Sequence, residues 1–191
     1  MGDMPTTDAT ENRSGRRIWL FGYGSIIYKA DFDYFQARPA SIRGWVRRFW
    51  QGSRDHRGVP GSPGRVVTLV EQAGAICSGM AYQVSAAAFD HLDDREKDGY
   101  RRISVDLEFF DGDQGEGIVY LAGPDNPAYL GPASTADIAR DIAHSVGASG
   151  ENREYLLGLA DGLRRLGTED AHVFAVEQAL QDYLAAAQPN A

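Results

Sequence analysis

RVVTLVEQAGAICSGMAYQV, residues 65–84, holds two apolar runs on either side of Gln72-Ala73-Gly74. Each run is too short for a typical helix and ends at turn-forming residues, so each reads as a strand. The spacing predicts strands over 65–71 and 75–84, joined by a short turn at the glycine. Upstream, RRIWLFG (16–22) reads as a strand with turn residues after it. RGWVRRFWQGS (43–53) carries Trp45, Val46, Phe49 and Trp50 and reads as another. Between them and residue 65, RDHRGVPGSPGR is a loop rich in glycine and proline. Downstream, RRISVDLEFF (101–110) alternates strictly, with Ile103, Val105, Leu107 and Phe109 on one face. DGDQGEG then turns the chain back into IVYLAG (118–123), a hairpin.

Helical periodicity appears in two places. SAAAFDHLDDREKDGY (85–100) offers Ser85 as an N-cap and Gly99 as a stop. The last third holds three more candidates. STADIARDIAHSVG opens with Ser134 and Asp137 at capping-box spacing and ends at Gly147. SGENREYLLGLADGLRRLG sets Tyr155, Leu156, Leu159, Leu163 and Leu166 along one stripe. TEDAHVFAVEQALQDYLAAA, starting at Thr168, sets out Val173, Val176, Leu180 and Leu184 similarly. Strands first and helices later predict a single α+β domain over 17–186, with a closed or partly closed sheet. Residues 1–16 form a polar segment without the apolar stretch of a signal peptide and are expected to be a disordered tail.

The chain has 191 residues and a formal charge of −8, from 27 acidic and 19 basic residues. An acidic chain without a basic block is a poor partner for a nucleic-acid backbone. No apolar run reaches the roughly 18 residues of a membrane helix. The one cysteine, Cys77, reads as a small buried hydrophobe and gives no sign of an oxidising compartment. His56, His91, His144 and His172 lack metal-site spacing, so no metal is expected.

WLFGYGSIIYK (19–29) interrupts an apolar strand with Gly-Tyr-Gly-Ser. It is not a dinucleotide fingerprint, because Ile27 stands where the third glycine belongs. It is not a nucleophile elbow either, since Ser25 follows the second glycine instead of preceding it. A plain structural turn and a backbone site for a ligand both remain. The other dense stretch, HLDDREKDGYRR (91–102), carries Asp93, Asp94, Glu96 and Asp98 among Arg95, Lys97, Arg101 and Arg102. A solvated helix end and a carboxylate held at a pocket mouth are both open, and the residues alone do not single out Glu96.

FGYGSIIYK (21–29), RRFWQGSRDHRGVPGSPGRVVTLV (47–70), LDDREKDGY (92–100) and GENREYLLGL (150–159) together resemble the ChaC-like γ-glutamylcyclotransferases, from about residue 17 to about 178. The resemblance implies the γ-glutamylcyclotransferase-like fold, a small mixed or antiparallel β-barrel with flanking helices. It implies an enzyme that cleaves glutathione to 5-oxoproline and cysteinylglycine without a cofactor. Tyr23, Gly24, Ser25 and Ile26 are the implied cradle for the γ-glutamyl group. Glu96 is the implied general acid/base, and Tyr155 the implied pocket tyrosine. The Arg54-Asp55-His56-Arg57 loop is expected either to touch the distal part of the substrate or to form a salt-bridged rim. Two departures stand out. Ile26 replaces the family's usual leucine, and Asp98 replaces a glycine, adding a negative charge near Glu96. The alternatives are a cyclotransferase for another γ-glutamyl amine, or a non-catalytic γ-glutamyl-binding protein. A cytoplasmic location is expected, and oligomeric state stays open.

Overall fold

The structure is a computed structural model that describes residues 17–86, 88 and 99–187. Strand β1 (Arg17–Gly22) pairs antiparallel with β3 (Gly64–Ser85), Arg17 opposite Ser85. Strand β2 (Gln36–Ser53) runs antiparallel along most of β3. Strands β4 (Tyr100–Phe109) and β5 (Gln114–Ala122) form the expected hairpin, Ile103 opposite Val119. Its β4 joins β2 at Ala40 opposite Phe109, and its β5 joins β1 in parallel at Trp19 opposite Gly117. These five strands close into a barrel in the order β1-β3-β2-β4-β5, which leaves no open sheet edge.

The 65–84 stretch does not fold as a hairpin. It lies within one 22-residue strand, and both halves run in the same direction along β2. Reversal through a two-residue loop needs special backbone at the turn, often with two residues at positive φ. Gly74 alone in this stretch has positive φ (79°), and it falls in the same break of the ladder as Gly44 of β2, also positive at 83°. Between the pairs Arg43–Ile76 and Trp45–Glu71, β3 carries three more residues than β2. The glycines therefore mark an irregularity that bends a long two-stranded ribbon.

A second irregularity lies further along β2. From the pair Arg48–Thr68 to the pair Gln51–Val66, β2 holds one residue more than β3, which is a β-bulge. The backbone groups around it leave the ladder and find other partners. The Phe49 amide donates to His172 Nε2 (3.0 Å), and the Trp50 carbonyl accepts from the Leu130 and Gly131 amides (2.8 and 3.1 Å).

Three α-helices among the described residues cover the barrel: α1 (Thr135–His144), α2 (Asn152–Arg165) and α3 (Ala171–Ala186). A two-residue ribbon, β6 (Val146–Gly147) with β7 (Gly150–Glu151), links α1 to α2. Ser134 caps α1 as its sequence predicts, accepting from the Asp137 amide (3.1 Å). Helix α3 begins later than Thr168: Asp170 is the cap and accepts from the Val173 amide (3.0 Å), while Thr168 closes the end of α2 on the Leu163 carbonyl. Leu156, Leu159 and Leu163 of α2 are fully buried, each contributing about 2 kcal/mol by leaving water. They share one core with Phe21, Phe49, Leu69 and Leu107 of the barrel and with Val173, Val176 and Leu180 of α3.

His172 gives the fold a pH dependence. Its Nε2 must be unprotonated to accept the Phe49 amide. Burial, helped by Arg48 nearby and opposed by Asp170, pushes its pKa down to about 4. The unfolded chain takes up this proton near pH 6.5, whereas the folded chain resists it down to about pH 4. The contribution is thus complete above pH 6.5 and is lost as pH falls from 6.5 towards 4. The partly exposed ring reduces it by screening to about 1–3 kcal/mol. His172→Gln keeps an acceptor for the Phe49 amide and does not titrate. Denaturant unfolding at pH 7 and pH 4.5 should show a smaller loss in this variant than in the wild type. Equal losses would assign the acid limb to other groups.

Candidate active site

β1 ends at Gly22, and a single 3-10 turn (Ser25–Ile27) follows Tyr23 and Gly24. The carbonyl groups of this loop are all engaged. The Tyr23 carbonyl accepts from Arg47 Nε (2.6 Å), and the Gly24 carbonyl from the Ile27 amide (3.0 Å). The Ser25 carbonyl accepts from the Tyr28 and Lys29 amides (3.1 and 2.9 Å), and the Ile26 carbonyl from the Tyr82 hydroxyl (2.6 Å). No cis peptide occurs among the described residues, and in a trans peptide C=O and N–H point in opposite directions. Fixing the carbonyls of Tyr23, Gly24 and Ser25 therefore aims the amides of Gly24, Ser25 and Ile26 the other way. Such successive N–H groups suit a carboxylate or an oxyanion.

Tyr155 comes to this loop from α2. A Cβ on Gly24 would lie 2.9 Å from its hydroxyl oxygen, so any side chain at 24 would collide with the phenol. The Tyr155 oxygen accepts from the Val67 amide (3.3 Å), which leaves its own proton to donate. Burial drives its pKa up, so the phenol stays protonated at physiological pH. Its position is fixed three residues upstream. Asn152, fully buried, grips β3 with both ends of its amide: Oδ1 accepts from the Arg65 amide (2.6 Å) and Nδ2 donates to the Arg65 carbonyl (2.8 Å).

The structure thus brings Tyr23, Gly24, Ser25 and Ile26 together with Tyr155. Tyr23 adds a bond to the neighbouring strand β5, from its hydroxyl to the Tyr120 carbonyl (2.8 Å). The Ile26 side chain packs back against Gly22. Glu96 lies outside the described residues, as do Asp93, Asp94 and Asp98. The ends of that segment are described. The Ser85 hydroxyl accepts from the Ala88 amide (3.2 Å), as expected of an N-cap. On the far side, Tyr100 pairs with Ala122 and lies near enough to Tyr155 to raise its pKa slightly.

Arg47 is the part of the site that sequence reading missed. Its side chain is 1% exposed. It donates to the Tyr23 carbonyl, to Asp170 Oδ2 at the cap of α3 (2.9 Å), to the Ser78 carbonyl and to the Cys77 sulfur (3.5 Å). One guanidinium so joins the amide loop, the barrel and a helix. The available signal was an arginine at 47 on the same alternating face as Trp45 and Phe49, where a solvated charge does not belong. The Arg54–Arg57 loop is a salt-bridged rim in part: Arg57 Nη1 meets Glu154 Oε2 at 3.1 Å, and His56 Nδ1 meets the Ser149 hydroxyl at 2.9 Å.

Comparison with known proteins agrees with this fold. The barrel with its flanking helices matches a crystal structure of the γ-glutamyl cyclotransferase specific to glutathione from yeast. The TM-score is 0.81 at 28% identity, over 87% of this chain and 96% of that one. The ChaC-like protein family model matches residues 18–183, so the chain belongs to the ChaC-like family. Its relatives include the glutathione-specific γ-glutamylcyclotransferase 1 of Danio rerio, 43% identical over 85% of this chain and 88% of that protein. The Homo sapiens protein of the same name is 41% identical over 85% of this chain and 78% of its own length.

Proposed function

We infer that this protein is a glutathione-specific γ-glutamylcyclotransferase, a lyase that forms 5-oxoproline. The observation that carries the reading is the 43% identity, over nearly the whole chain, to a relative of that name. The amide loop and Tyr155 support it, because they supply the donors the chemistry needs. In the reaction the substrate's α-amine attacks its own γ-carbonyl carbon. A C–N bond forms, a five-membered lactam closes, and the γ-amide C–N bond breaks. Cysteinylglycine leaves with the proton given up by the amine. Atoms balance without water, metal or nucleotide.

Each residue has a part in this scheme. The amides of Gly24, Ser25 and Ile26 hold the γ-glutamyl group, and the Tyr155 hydroxyl donates into the same space. Glu96 takes the proton from the ammonium and passes it to the departing nitrogen. An unperturbed glutamate, with pKa about 4.3, is a weak base for this, and desolvation or a neighbouring negative charge strengthens such a base. Glu96 is four residues from Tyr100, so the chain keeps its Cα within about 14 Å of the start of β4. Holding the flexible γ-glutamyl chain curled contributes several kcal/mol, within the roughly 7–11 available to well-oriented groups. The natural setting is the cytoplasm, whose reducing thiol pool consists largely of glutathione.

The test is direct. Purified protein incubated with glutathione should release 5-oxoproline and cysteinylglycine in equal amounts. Free glutamate among the products would mean hydrolysis, and binding without products would mean a carrier.

A further inference from the structure

Two buried side-chain atoms among the described residues have no hydrogen-bond partner: Gln51 Oε1 and Tyr28 Oη. Tyr28 directly follows the 3-10 turn of the amide loop. Its ring rests over Gly158 of α2, 2.8 Å from where a Cβ would stand. Gly158 is about one helical turn beyond Tyr155, the residue against Gly24. Arg57 reaches the same place from the loop after β2. Its side chain is only 13% exposed, and its Nη1 donates to the Glu151 carbonyl (2.9 Å) and to Glu154 Oε2 (3.1 Å). Its Nε and Nη2 make no hydrogen bond among the described residues. Burial raises the pKa of the Tyr28 phenol, the Arg57 guanidinium pulls the other way through its charge and a loose hydrogen-bonding contact, and Glu154 adds to the rise; the phenol stays protonated.

The cluster therefore offers an N–H edge of a guanidinium and a phenolic O–H, all donors. Glu151 and Glu154 take up Nη1 alone, and the remaining donors match a further carboxylate, which only accepts and which arginine grips through two parallel bonds. Glutathione has two carboxylates. The one beside the attacking amine belongs with the amides of residues 24–26. The other closes the leaving group, and a dipeptide spans at most about 7 Å. That reach suits a step of one helical turn from Tyr155 to the rim, where Glu154 is 64% exposed. We propose that Tyr28 and Arg57 hold the C-terminal carboxylate of the leaving dipeptide and so select glutathione among γ-glutamyl amides. The proposal rests on the cyclotransferase reading above.

The experiment compares glutathione with its analogue in which the glycine carboxylate is a primary amide. The wild type should favour the acid by about tenfold or more in kcat/KM, the worth of a charged hydrogen-bonded contact. Tyr28→Phe and Arg57→Gln should each collapse that ratio, mainly by raising KM for the acid. Tyr28→Phe removes an oxygen with no well-aligned hydrogen bond, so its melting temperature should change little; a purely structural role for the hydroxyl leaves the acid-to-amide ratio unmoved. Arg57→Gln disturbs the Glu154 contact as well, and its unfolding curve separates stability from selectivity. A wild type that turns over both substrates equally overturns the proposal alone, as does a Tyr28→Phe protein that keeps the wild-type ratio. A wild type inactive on glutathione overturns the cyclotransferase reading, and the proposal with it.

Discussion

Glu96→Gln is expected to fold, to bind glutathione, and to turn it over at least about a hundredfold more slowly than the wild type. The argument is one of proton inventory. At neutral pH the attacking amine is an ammonium and has no lone pair to offer. Something must remove a proton before the ring closes and deliver one to the leaving nitrogen afterwards. The amides of residues 24–26 can only donate, and Tyr155 is held protonated by burial, so neither can be the base. A carboxylate at 96 meets both demands, and a glutamine of nearly the same shape meets neither. A positioned acid/base is worth about 10²–10⁴ in rate, which sets the expected loss. Binding should persist, because the loop proposed to hold the substrate is untouched. Steady-state rates of 5-oxoproline release, with a thermal-shift titration by glutathione, separate the two quantities. A variant that keeps turnover within a few-fold of wild type would move the base to Asp94 or Asp93.

What the sequence disclosed about this site depended on how local each feature is. The β4–β5 hairpin was legible because strict alternation from Ile103 to Phe109 needs no distant information, and the caps at Ser85 and Ser134 were legible for the same reason. The single strand through Gly74 was not. One glycine at positive φ serves a tight turn or an irregular ladder equally well, and the choice lies with Gly44, thirty positions earlier. The meeting of Tyr155 with Gly24 came only from family resemblance, since no spacing rule links residues on a first strand and a late helix. Arg47 was hidden more deeply. Beside Arg48 it looks like a solvated pair, yet its partners lie 24 and 123 positions away. Only a closed barrel with a helix cap at its side gives such a cation enough acceptors to be buried.

Arg47→Met is therefore expected to cost about 3–5 kcal/mol of stability, the usual toll for removing one member of a buried ion pair. The Asp170 carboxylate, 16% exposed, would keep its bond from the Val173 amide but lose its counter-charge. The carbonyls of Tyr23 and Ser78 would lose a donor each. Against a typical total of about 5–15 kcal/mol, that loss brings the domain close to unfolding near physiological temperature. Arg47→Lys is the more informative change. It keeps the charge near Asp170 but replaces a planar fork with a single ammonium, which cannot serve Asp170, Tyr23 and Ser78 in the same geometry. Stability should fall less than in the methionine variant. Activity should fall further than stability predicts, because a loosened Tyr23 carbonyl lets the Gly24 peptide rotate and turns its amide off the substrate. Urea unfolding, paired with kcat and KM measured well below the melting temperature, reads both effects. A lysine variant with wild-type kcat/KM would mean that the turn holds its amides in place without the guanidinium, and that Arg47 serves the fold alone.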